Sequence, residues 1–483
     1  MAGFTLEEIL RATGGQLKVK GSSGAVAPES VHISDVSTDT RTIKDGDLFL
    51  ALCGEKFDGH DYAQRAVDDG ACALVLSKMD QAPENIPVVL VPDTKKALMD
   101  IAAYYRIRSG FKVVAVTGSV GKTSTREMIA CALSSCEKVY ATKNNENNEI
   151  GMSKTILSAP EDAKILVLEM GMRLRGEISE LTNIAHPDIA VITNIGVAHI
   201  ERLGSREEIL NAKLEILEGL SENGLLVIPY ADEMLKKAVE KGRIRKDVRI
   251  AYFSTDENNV PEEAFGLAFS GPASFSEGKI RFAANVKFEK EIRCEVALST
   301  IGLHHVGNAL AGLLCGVYLG MDAEKLASGV GTFAQIGHRE KIVEVNGIRF
   351  LDDSYNAGPE SMMSAMASVR RLASDTRAFG AIGDMLELGP VSEEKHYEIG
   401  QCAAKLKLDG LCVIGDYKEC VRDGAKSVDP AFDVICCEDK NEIVSILKEK
   451  LQKGDFVLLK ASHSFEMYTI LEEYASIIKE GGV

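Results

Sequence analysis

The chain has 483 residues, of which 72 are acidic and 55 basic, so its formal net charge is −17. That charge argues against a broad nucleic-acid-binding or anionic-membrane surface, although a local cluster of basic groups can still bind an anionic substrate. The length is too great for one hydrophobic core and predicts about three domains.

Neither a targeting segment nor a cysteine motif assigns the chain to a secreted, membrane or metal-binding class of protein. The first residues lack a basic segment followed by an apolar run, so we expect no signal peptide. No apolar stretch reaches the roughly 20 residues that cross a bilayer, so we expect no membrane insertion. The 11 cysteines include no CxxC pair. They favour buried thiols in a reducing cytoplasm over disulfides or zinc.

The first segment, to about residue 110, opens with a predicted helix. Thr5 is a good N-cap, Glu8 lies three residues later, and Gly14 and Gly15 end the helix. Short apolar strands are predicted at 47–52 and 73–76. The basic stretch at 105–110 indicates a domain boundary.

The second segment alternates buried strands with helices. Strands are predicted at 112–117, 165–169 and 189–194, which indicates a parallel sheet covered on both faces. Residues 266–300 change to apolar/polar alternation and suggest a small antiparallel insertion. A helix is predicted over about 308–319.

The third segment starts near Gly337 and alternates again. Its strand candidates are 348–353, 378–382, 410–414 and 456–460. The sequence therefore predicts an α/β protein of three domains, at residues 1–109, 110–335 and 336–483, with a mostly parallel central sheet.

The strongest chemical signal follows the strand at 112–117. Its glycines let the backbone wrap around phosphate, Lys122 can reach the β- and γ-phosphates, and Thr123 can bind Mg²⁺. The two glycines are two residues closer together than in the common Walker pattern. The alternative is a glycine turn with a surface lysine, which the strand–loop–helix order disfavours. The predicted ATP-binding loop comprises Gly118, Ser119, Val120, Gly121, Lys122, Thr123 and Ser124.

Two further polar residues follow neighbouring strands. Glu169 ends one strand, and His199 follows the next by a short loop. The carboxyl ends of parallel strands form the binding crevice of such sheets, where a carboxylate can hold Mg²⁺. Alone, each would more often be a solvated glutamate or a structural histidine. By default Lys213 would be a surface lysine, residues 144–148 a polar turn, and residues 352–356 a turn or a ligand loop. The residues alone thus indicate magnesium–nucleotide phosphoryl transfer.

Taken together, these segments resemble the Mur ligase family over nearly the whole chain. The forms of residues 352–357, 361–362 and 383–389 point within the family to the member that adds a dipeptide. The remaining matching segments are 36–41, 46–52, 57–60, 117–123, 147–151, 169–171, 176–178, 193–199, 212–213, 305–311 and 337–339.

The resemblance implies an ATP-dependent ligase with three domains, which bind a UDP-sugar peptide, ATP and the remaining ligand in chain order. It would join D-alanyl-D-alanine to UDP-N-acetylmuramoyl-tripeptide through an acyl phosphate in peptidoglycan synthesis. The enzyme would act in the cytoplasm as a monomer. The third domain resembles a Rossmann fold.

The resemblance also implies roles for single residues. Lys122 and Thr123 would bind ATP phosphates and Mg²⁺, while Glu169 and His199 would bind magnesium, His199 holding the second of two ions. Lys213 would carry a carbamate derived from CO₂. With Arg339 on the γ-phosphate, the expected catalytic set is Lys122, Glu169, His199, Lys213 and Arg339.

Other implied contacts belong to the substrates. Asn308 would contact the adenine and Asp353 the ribose side of the nucleotide. The remaining implied positions are Thr38, Asp39, Arg41, Asn147 and Asn148 near the UDP moiety, and Tyr355 and Asn356 facing the dipeptide.

Some positions depart from the family pattern. Gly358 replaces a usual asparagine-type residue before Pro359, residues 460–463 read Lys-Ala-Ser-His, Tyr468 follows Met467, and residues 152–153 lack a common proline. Two alternatives stay open. One is a sister amide ligase that adds a diamino acid or glutamate, and the other is a nucleotide-switched binding protein without ligase activity.

Overall fold

The computed structural model describes residues 3–21, 26–54, 56–335 and 337–480. Within them, three regions follow one another, each built around its own sheet. The predicted domain limits at residues 1, 336 and 483 lie outside the described residues. The limit at 109 coincides with the end of a helix that precedes the central sheet, but the domain limits themselves stay predictions.

The N-terminal region combines short strands with three α-helices. Its strands are β1 (Phe4–Thr5), β2 (Gln16–Val19), β3 (His32–Ile33), β4 (Val36–Ser37), β5 (Leu48–Leu50), β6 (Ala73–Leu76) and β7 (Pro87–Leu90). Its helices are α1 (Leu6–Thr13), α2 (Ala63–Asp68) and α3 (Thr94–Ser109). The sheet order is β2-β7-β6-β5-β4; β2 is antiparallel to β7 and the other pairs are parallel. Strands β1 and β3 pair separately.

The predicted first helix is confirmed in its details. The Thr5 hydroxyl accepts from the Glu8 backbone N–H at 3.3 Å, and the Glu8 carboxylate accepts from the Thr5 N–H at 2.9 Å. This reciprocal capping satisfies amides that have no partner within the helix. Gly14 then takes a left-handed φ of 64° and ends the helix.

The central region holds the largest sheet. Its strands are β8 (Lys112–Thr117), β9 (Val139–Ala141), β10 (Ile165–Glu169), β11 (Ile189–Ile192), β12 (Leu225–Pro229), β13 (Arg249–Ser254), β14 (Gly266–Ser270), β15 (Ser274–Ser276), β16 (Lys279–Lys287) and β17 (Glu291–Leu298). Its helices are α4 (Lys122–Ser134), α5 (Glu149–Leu157), α6 (Glu177–Ala185), α7 (Ile200–Leu203), α8 (Arg206–Leu214), α9 (Glu233–Glu240), α10 (His305–Tyr318) and α11 (Ala323–Val330).

Strand β8 lies in the middle of this sheet, between β10 and β11, and all three are parallel. Val113 and Ala115 pack into one core, while Val114 and Val116 pack into another on the opposite face. Burial on both faces explains the unbroken apolar run, as predicted. The carboxyl ends of the three strands therefore meet at one edge of the sheet.

Residues 266–300 correct one expectation. The pairs that β16 makes are antiparallel, as predicted, but the segment begins with a parallel pair and continues the central sheet. β14 continues the parallel sheet beside β13, and β16 then pairs antiparallel with β14 and carries β15 and β17. The central sheet thereby extends to ten strands.

The C-terminal region is a second α/β unit. Its strands are β18 (Lys341–Val345), β19 (Ile348–Asp352), β20 (Ala378–Ile382), β21 (Gly410–Val413), β22 (Val434–Cys436) and β23 (Phe456–Lys460). Its helices are α12 (Pro359–Ala373), α13 (Ser392–Lys405), α14 (Lys418–Val428), α15 (Lys440–Lys450) and α16 (Tyr468–Glu480). The sheet order is β18-β19-β23-β20-β21-β22, parallel except for β18.

The N-terminal and central regions contact each other through helix α3. This helix packs against α5 and α6 of the central region. Across the described residues, no helix is long and apolar enough to cross a membrane. The 3₁₀ helices are Pro28–Ser30, Thr40–Thr42, Gly59–Tyr62, Glu215–Leu217, Gly389–Val391 and His463–Phe465.

Candidate active site

The predicted phosphate loop connects β8 to α4 and depends on its glycines. Gly121 has a φ of 82°, a left-handed conformation that favours glycine. A Cβ atom on Gly118 would lie 1.9 Å from the Thr193 hydroxyl. Helix α4 begins at Lys122, directly after the loop, so its positive N-terminal end lies beside it. The loop thus has the backbone and the helix end that bind phosphate.

The loop is held by residues that follow β11. The Asn194 side-chain oxygen accepts from the N–H groups of Ser119 and Val120 at 3.1 and 3.0 Å. The Thr193 hydroxyl donates to the Val120 carbonyl at 2.6 Å. Asn194 was not among the predicted site residues, although it lies in the matching segment 193–199. Its position after a strand adjacent to β8 was the signal that could have identified it.

Two cations meet at the loop. The Lys122 ammonium donates to the carbonyls of Gly118 and Ser119 at 2.9 and 3.4 Å. Arg339, from the start of the C-terminal region, donates to the Thr123 hydroxyl at 3.5 Å. Burial and the positive charge of Arg339 lower the pKa of Lys122, against the opposing effect of Glu169. The structure therefore brings these two predicted residues to the same loop, Lys122 from α4 and Arg339 from the start of the C-terminal region.

Glu169 is buried at the end of β10. Its Oε1 accepts from the Asn147 side-chain amide at 2.9 Å, and its side chain is only 2% exposed. Its Oε2 has no hydrogen-bond partner among the described residues, and the nearest cationic atom is Arg126 Nε at 4.0 Å. An unpartnered buried carboxylate oxygen beside a phosphate loop fits a ligand of Mg²⁺.

Arg126 is a second residue that the sequence did not indicate. Its side chain is 1% exposed, and its Nη1 donates to the Thr142 carbonyl while Nη2 pairs with Glu127. The Thr142 hydroxyl in turn accepts from the Glu169 N–H at 3.0 Å. Arg126 thus supplies the buried positive charge closest to Glu169. Its position on α4, one turn after Lys122, carries no signal that distinguishes it from a surface arginine.

Lys213 is not the surface lysine that its helix position would suggest. It lies on α8 with 1% exposure, and its ammonium nitrogen has no hydrogen-bond partner among the described residues. Burial, followed by the charge of Lys122, places the pKa of Lys213 well below its ordinary value. A lowered pKa increases the neutral, nucleophilic fraction of the amine, which fits the chemistry of carbamate formation with CO₂.

His199 caps α7 with a left-handed φ of 64°. Its Nδ1 lies 2.5 Å from Oε2 of Glu387, which belongs to the C-terminal region. Burial lowers the pKa of His199, and Lys122 and Lys213 lower it further, although Glu387 opposes them. His199 therefore lies within the electrostatic influence of Lys122 and Lys213 and contacts the C-terminal region through Glu387.

The predicted adenine contact, Asn308, lies at the start of α10. Its side-chain oxygen accepts from the Thr125 hydroxyl at 3.0 Å, and its amide lies 3.1 Å from His305 Nδ1. His305 Nε2 lies 3.1 Å from Glu340 Oε2. Burial alone would raise the pKa of Glu340, but the hydrogen bond from His305 and the neighbouring imidazoles lower it to about 2. A chain of polar contacts thus connects α4 to the C-terminal region.

Asp353 and the dipeptide residues lie on the C-terminal side. Asp353 Oδ2 is 2.5 Å from the Lys460 ammonium, and Oδ1 accepts from the Glu340 N–H at 3.2 Å. Burial raises the pKa of Asp353 despite Lys460. The Arg339 guanidinium lies 3.9 Å from the centre of the Tyr355 ring. Lys460 also donates to the carbonyl of the residue after Tyr355, Asn356, at 2.9 Å.

The predicted UDP contacts fall in two places. Arg41 Nη2 lies 2.6 Å from Asp39 Oδ2, and this exposed pair lowers the pKa of Asp39 to about 2. Thr38 precedes them in the loop after β4. Asn147 holds Glu169, whereas Asn148 caps α5 by accepting from a backbone N–H at 2.8 Å. The Asn148 side chain is therefore the N-cap of α5, a role that the polar sequence around it did not indicate.

A cysteine–aspartate–histidine cluster in the N-terminal region resembles a metal site but does not suit one. Cys53, Asp58 and His60 place their ligand atoms within 4.8 Å of one another. However, His60 Nε2 accepts from the Ser77 backbone N–H at 2.9 Å, so its Nδ1 carries the proton and donates to Asp58. A protonated Nδ1 has no lone pair for a metal. The cluster therefore stabilises the turn before α2.

Comparison with known protein families covers most of the chain. Residues 32–106 match the model described as Mur ligase family, catalytic domain. Residues 116–316 match the Mur ligase middle domain, and residues 338–463 match the Mur ligase, glutamate ligase domain. The chain belongs to the Mur ligase family.

Two curated relatives match most of the length of this Mur ligase. It is 35% identical to the UDP-N-acetylmuramoyl-tripeptide–D-alanyl-D-alanine ligase of Bacillus subtilis (strain 168), with 94% of this chain and 96% of that protein covered. It is 32% identical to the ligase of the same name from Synechocystis sp., with 92% of each covered.

Solved structures show the same three-domain architecture for this Mur ligase. Crystal structure I of MurF from Acinetobacter baumannii superposes with a TM-score of 0.84 at 26% identity, covering 99% of both chains. MurF ligase from Thermotoga maritima in complex with ADP gives 0.78 at 28% identity, covering 93% of this chain and 98% of that one. The predicted three-domain α/β fold is confirmed.

Proposed function

We propose that the chain is an ATP-dependent ligase that joins D-alanyl-D-alanine to UDP-N-acetylmuramoyl-tripeptide in peptidoglycan synthesis. One observation supports this most directly. The phosphate loop and Glu169, whose Oε2 has no hydrogen-bond partner among the described residues, lie at one edge of the central sheet, and Arg339 reaches that edge from the C-terminal region. The buried amine of Lys213 is near enough for the charges of Lys122 and Glu169 to act on it. A site of this kind can activate a carboxylate at the γ-phosphate of ATP.

The reaction needs an activated carboxylate because a carboxylate is a poor electrophile. Its oxygen would attack the γ-phosphorus of ATP, the bond to ADP would break, and an acyl phosphate would form. The dipeptide amine would then attack the acyl carbon, expel phosphate and lose a proton. Lys122 and Arg339 would bind the phosphates and offset the charge of a carboxylate that approaches a triphosphate.

The proposed metal ligands follow from the donor atoms at this edge. Thr123 and Glu169 would hold one Mg²⁺, and His199 would contribute to a second. When bound, such ions neutralise phosphate charge and orient the reacting oxygens. Two observations support these assignments. Glu169 Oε2 has no hydrogen-bond partner among the described residues, and His199 Nδ1 lies 2.5 Å from Glu387 Oε2, which leaves Nε2 for a ligand.

We infer that Lys213 carries a carbamate in the working enzyme. Among the described residues the amine has no hydrogen-bond partner, and the charge of Lys122 disfavours its cationic form. Carbamylation would replace it with an anion, which the charge of Lys122 favours. Replacing Lys213 with Ala should abolish phosphate release, and a small carboxylate such as acetate should restore part of it. Near-normal turnover of Lys213→Ala would exclude the carbamate.

Substrate contacts are assigned by position. Asn308 would contact the adenine and Asp353 the ribose side, with Thr123 and its loop on the phosphates. The UDP moiety would lie between Thr38, Asp39, Arg41 and the Asn147–Asn148 turn, and the dipeptide would face Tyr355 and Asn356. These assignments divide the chain into a UDP-peptide-binding domain at 1–109, an ATP-binding domain at 110–335 and a dipeptide-side domain at 336–483. We further propose that the enzyme acts as a cytoplasmic monomer.

A coupled phosphate-release assay tests the proposal. UDP-N-acetylmuramoyl-tripeptide ending in lysine or in diaminopimelate, or a shorter UDP-N-acetylmuramoyl-peptide, would be combined with ATP and, in separate reactions, D-alanyl-D-alanine, a diamino acid or glutamate. We expect release only when a tripeptide nucleotide and D-alanyl-D-alanine are both present. Turnover with a diamino acid on a shorter peptide nucleotide, and none with D-alanyl-D-alanine, would assign the chain to a sister ligase.

A further inference from the structure

The loop after β20 carries a glutamate that contacts His199 of the central region. Glu387 Oε2 lies 2.5 Å from His199 Nδ1, although 188 residues separate the two in sequence. The Glu201 N–H donates to the Glu387 carbonyl at 3.3 Å, and Arg202 lies 3.8 Å from Glu387 Oε1. Side-chain and backbone contacts therefore join this loop to the start of α7.

The two contacting residues share an uncommon backbone conformation. His199 has a φ of 64° and Glu387 a φ of 61°. Residues other than glycine adopt this backbone conformation at a cost in free energy. The conformation persists where the surrounding structure imposes it, often at functional sites. The approach is also close, because a Cβ atom on Gly389 would lie 2.9 Å from Glu201 Cβ.

The loop that presents Glu387 is fixed within its own region. The Leu386 N–H donates to the Ser462 hydroxyl at 2.8 Å, and the Met385 N–H donates to His396 Nε2 at 2.9 Å. Both partners are buried. Glu387 is thus held on a rigid support that can orient a side chain of the neighbouring region.

We propose that Glu387 is a positioning residue for His199: its carboxylate accepts a hydrogen bond from Nδ1–H, so that the Nε2 lone pair is directed to the second magnesium ion. The inference rests on the proposed function, which assigns that ion to His199. A histidine that binds a metal commonly donates its other ring N–H to a carboxylate, which fixes the tautomer and the ring orientation. Here the carboxylate comes from a different region of the fold than the ligand that it orients.

Manganese binding to the full chain provides the test. Mn²⁺ would be titrated into the protein with a non-hydrolysable ATP analogue and UDP-N-acetylmuramoyl-tripeptide, and bound ions counted by electron paramagnetic resonance. We expect two ions for the unaltered protein. Glu387→Ala should weaken the second ion about 10- to 100-fold and leave the first unchanged. Glu387→Gln, which keeps an oxygen acceptor, should lose less.

Arg202→Ala is the matched control, because it removes another side chain from the same contact and leaves the Glu387–His199 hydrogen bond. It should bind both ions like the unaltered protein. The inference is overturned if Glu387→Ala binds both ions unchanged, if Arg202→Ala loses the second ion equally, or if the unaltered protein binds only one. Each of these results can occur with normal phosphate release from D-alanyl-D-alanine, so they are distinct from a failure of the proposed function.

Discussion

Lys460 and Asp353 form a buried ion pair between the ends of neighbouring strands β23 and β19. The ammonium lies 2.5 Å from Asp353 Oδ2, and the two side chains are 3% and 14% exposed. Lys460 also donates to the carbonyls of Asp353 and Asn356 at 3.2 and 2.9 Å. This one side chain therefore fixes both the proposed ribose contact and the loop that carries the proposed dipeptide contacts.

Replacing Lys460 with Met should destabilise the C-terminal region by about 3–5 kcal/mol, because Asp353 would remain buried without its counter-charge. Native-state hydrogen exchange of β19 and β23 measures this loss locally. Lys450→Met removes a partly exposed ion pair with Asp433 and should cost less than about 1 kcal/mol. Equal losses of unfolding free energy for the two variants would show that the buried Lys460 pair stabilises the region no more than an exposed pair does.

Lys213→Met should give a more stable but inactive protein. The methionine keeps the apolar volume and removes a buried amine that lacks a hydrogen bond, which should raise the unfolding free energy by about 1–3 kcal/mol in CO₂-free buffer. Since burial lowers the pKa of Lys213, the unfolded chain binds the extra proton and the stability of the unaltered protein rises with pH across that interval. The advantage of the methionine should therefore grow as pH falls. A variant less stable than the unaltered protein at every pH would contradict this expectation.

Arg126→Met should destabilise the central region by about 3–5 kcal/mol, since it leaves Glu169 and Glu127 without their closest positive charge. Arg126→Lys keeps the charge and should recover part of the loss. Thermal unfolding of both variants, followed by circular dichroism, measures the difference. Arg11→Ala removes an exposed ion pair on α1 and should stay within about 0.5 kcal/mol of the unaltered protein. If Arg126→Met behaves like Arg11→Ala, the buried charge has no structural role.

Glu340→Gln should alter both nucleotide affinity and acid stability. Losing the charge that orients His305 should raise KM for ATP about tenfold, roughly the contribution of one hydrogen bond, with a smaller change in kcat. The pKa of Glu340 falls from 4.5 to about 2 on folding, so its contribution is complete above pH 4.5 and is lost as pH falls through about 2. Urea denaturation between pH 5 and 2.5 should therefore show a shallower pH dependence for the variant. An unchanged slope together with an unchanged KM would contradict the proposed contact chain.

Local sequence patterns were enough to predict helix α1, strand β8, helix α4 and the phosphate loop. The capping residues Thr5 and Glu8 predicted α1, and the apolar run of β8 followed by glycines and Lys122 predicted strand, loop and helix in order. Adjacency of β8, β10 and β11 brought Glu169 and His199 to the same edge, as strand ends in a parallel sheet must. The continuation of the central sheet by β14 was missed because alternation shows that a strand is half-buried and not which strand it pairs with.

Most helices and strands, the phosphate loop and the family resemblance could be predicted, because they depend on residues close together in the chain. The packing of the three regions sets which polar groups are buried and which partners they contact. Lys213 has an ordinary helix position, yet packing leaves it 1% exposed, and its ammonium nitrogen finds no hydrogen-bond partner in the described part of the chain. Glu387 reaches His199 across 188 residues because two separate sheets place their loops side by side. Burial and contacts between regions follow from how the sheets pack, and no local spacing encodes that packing.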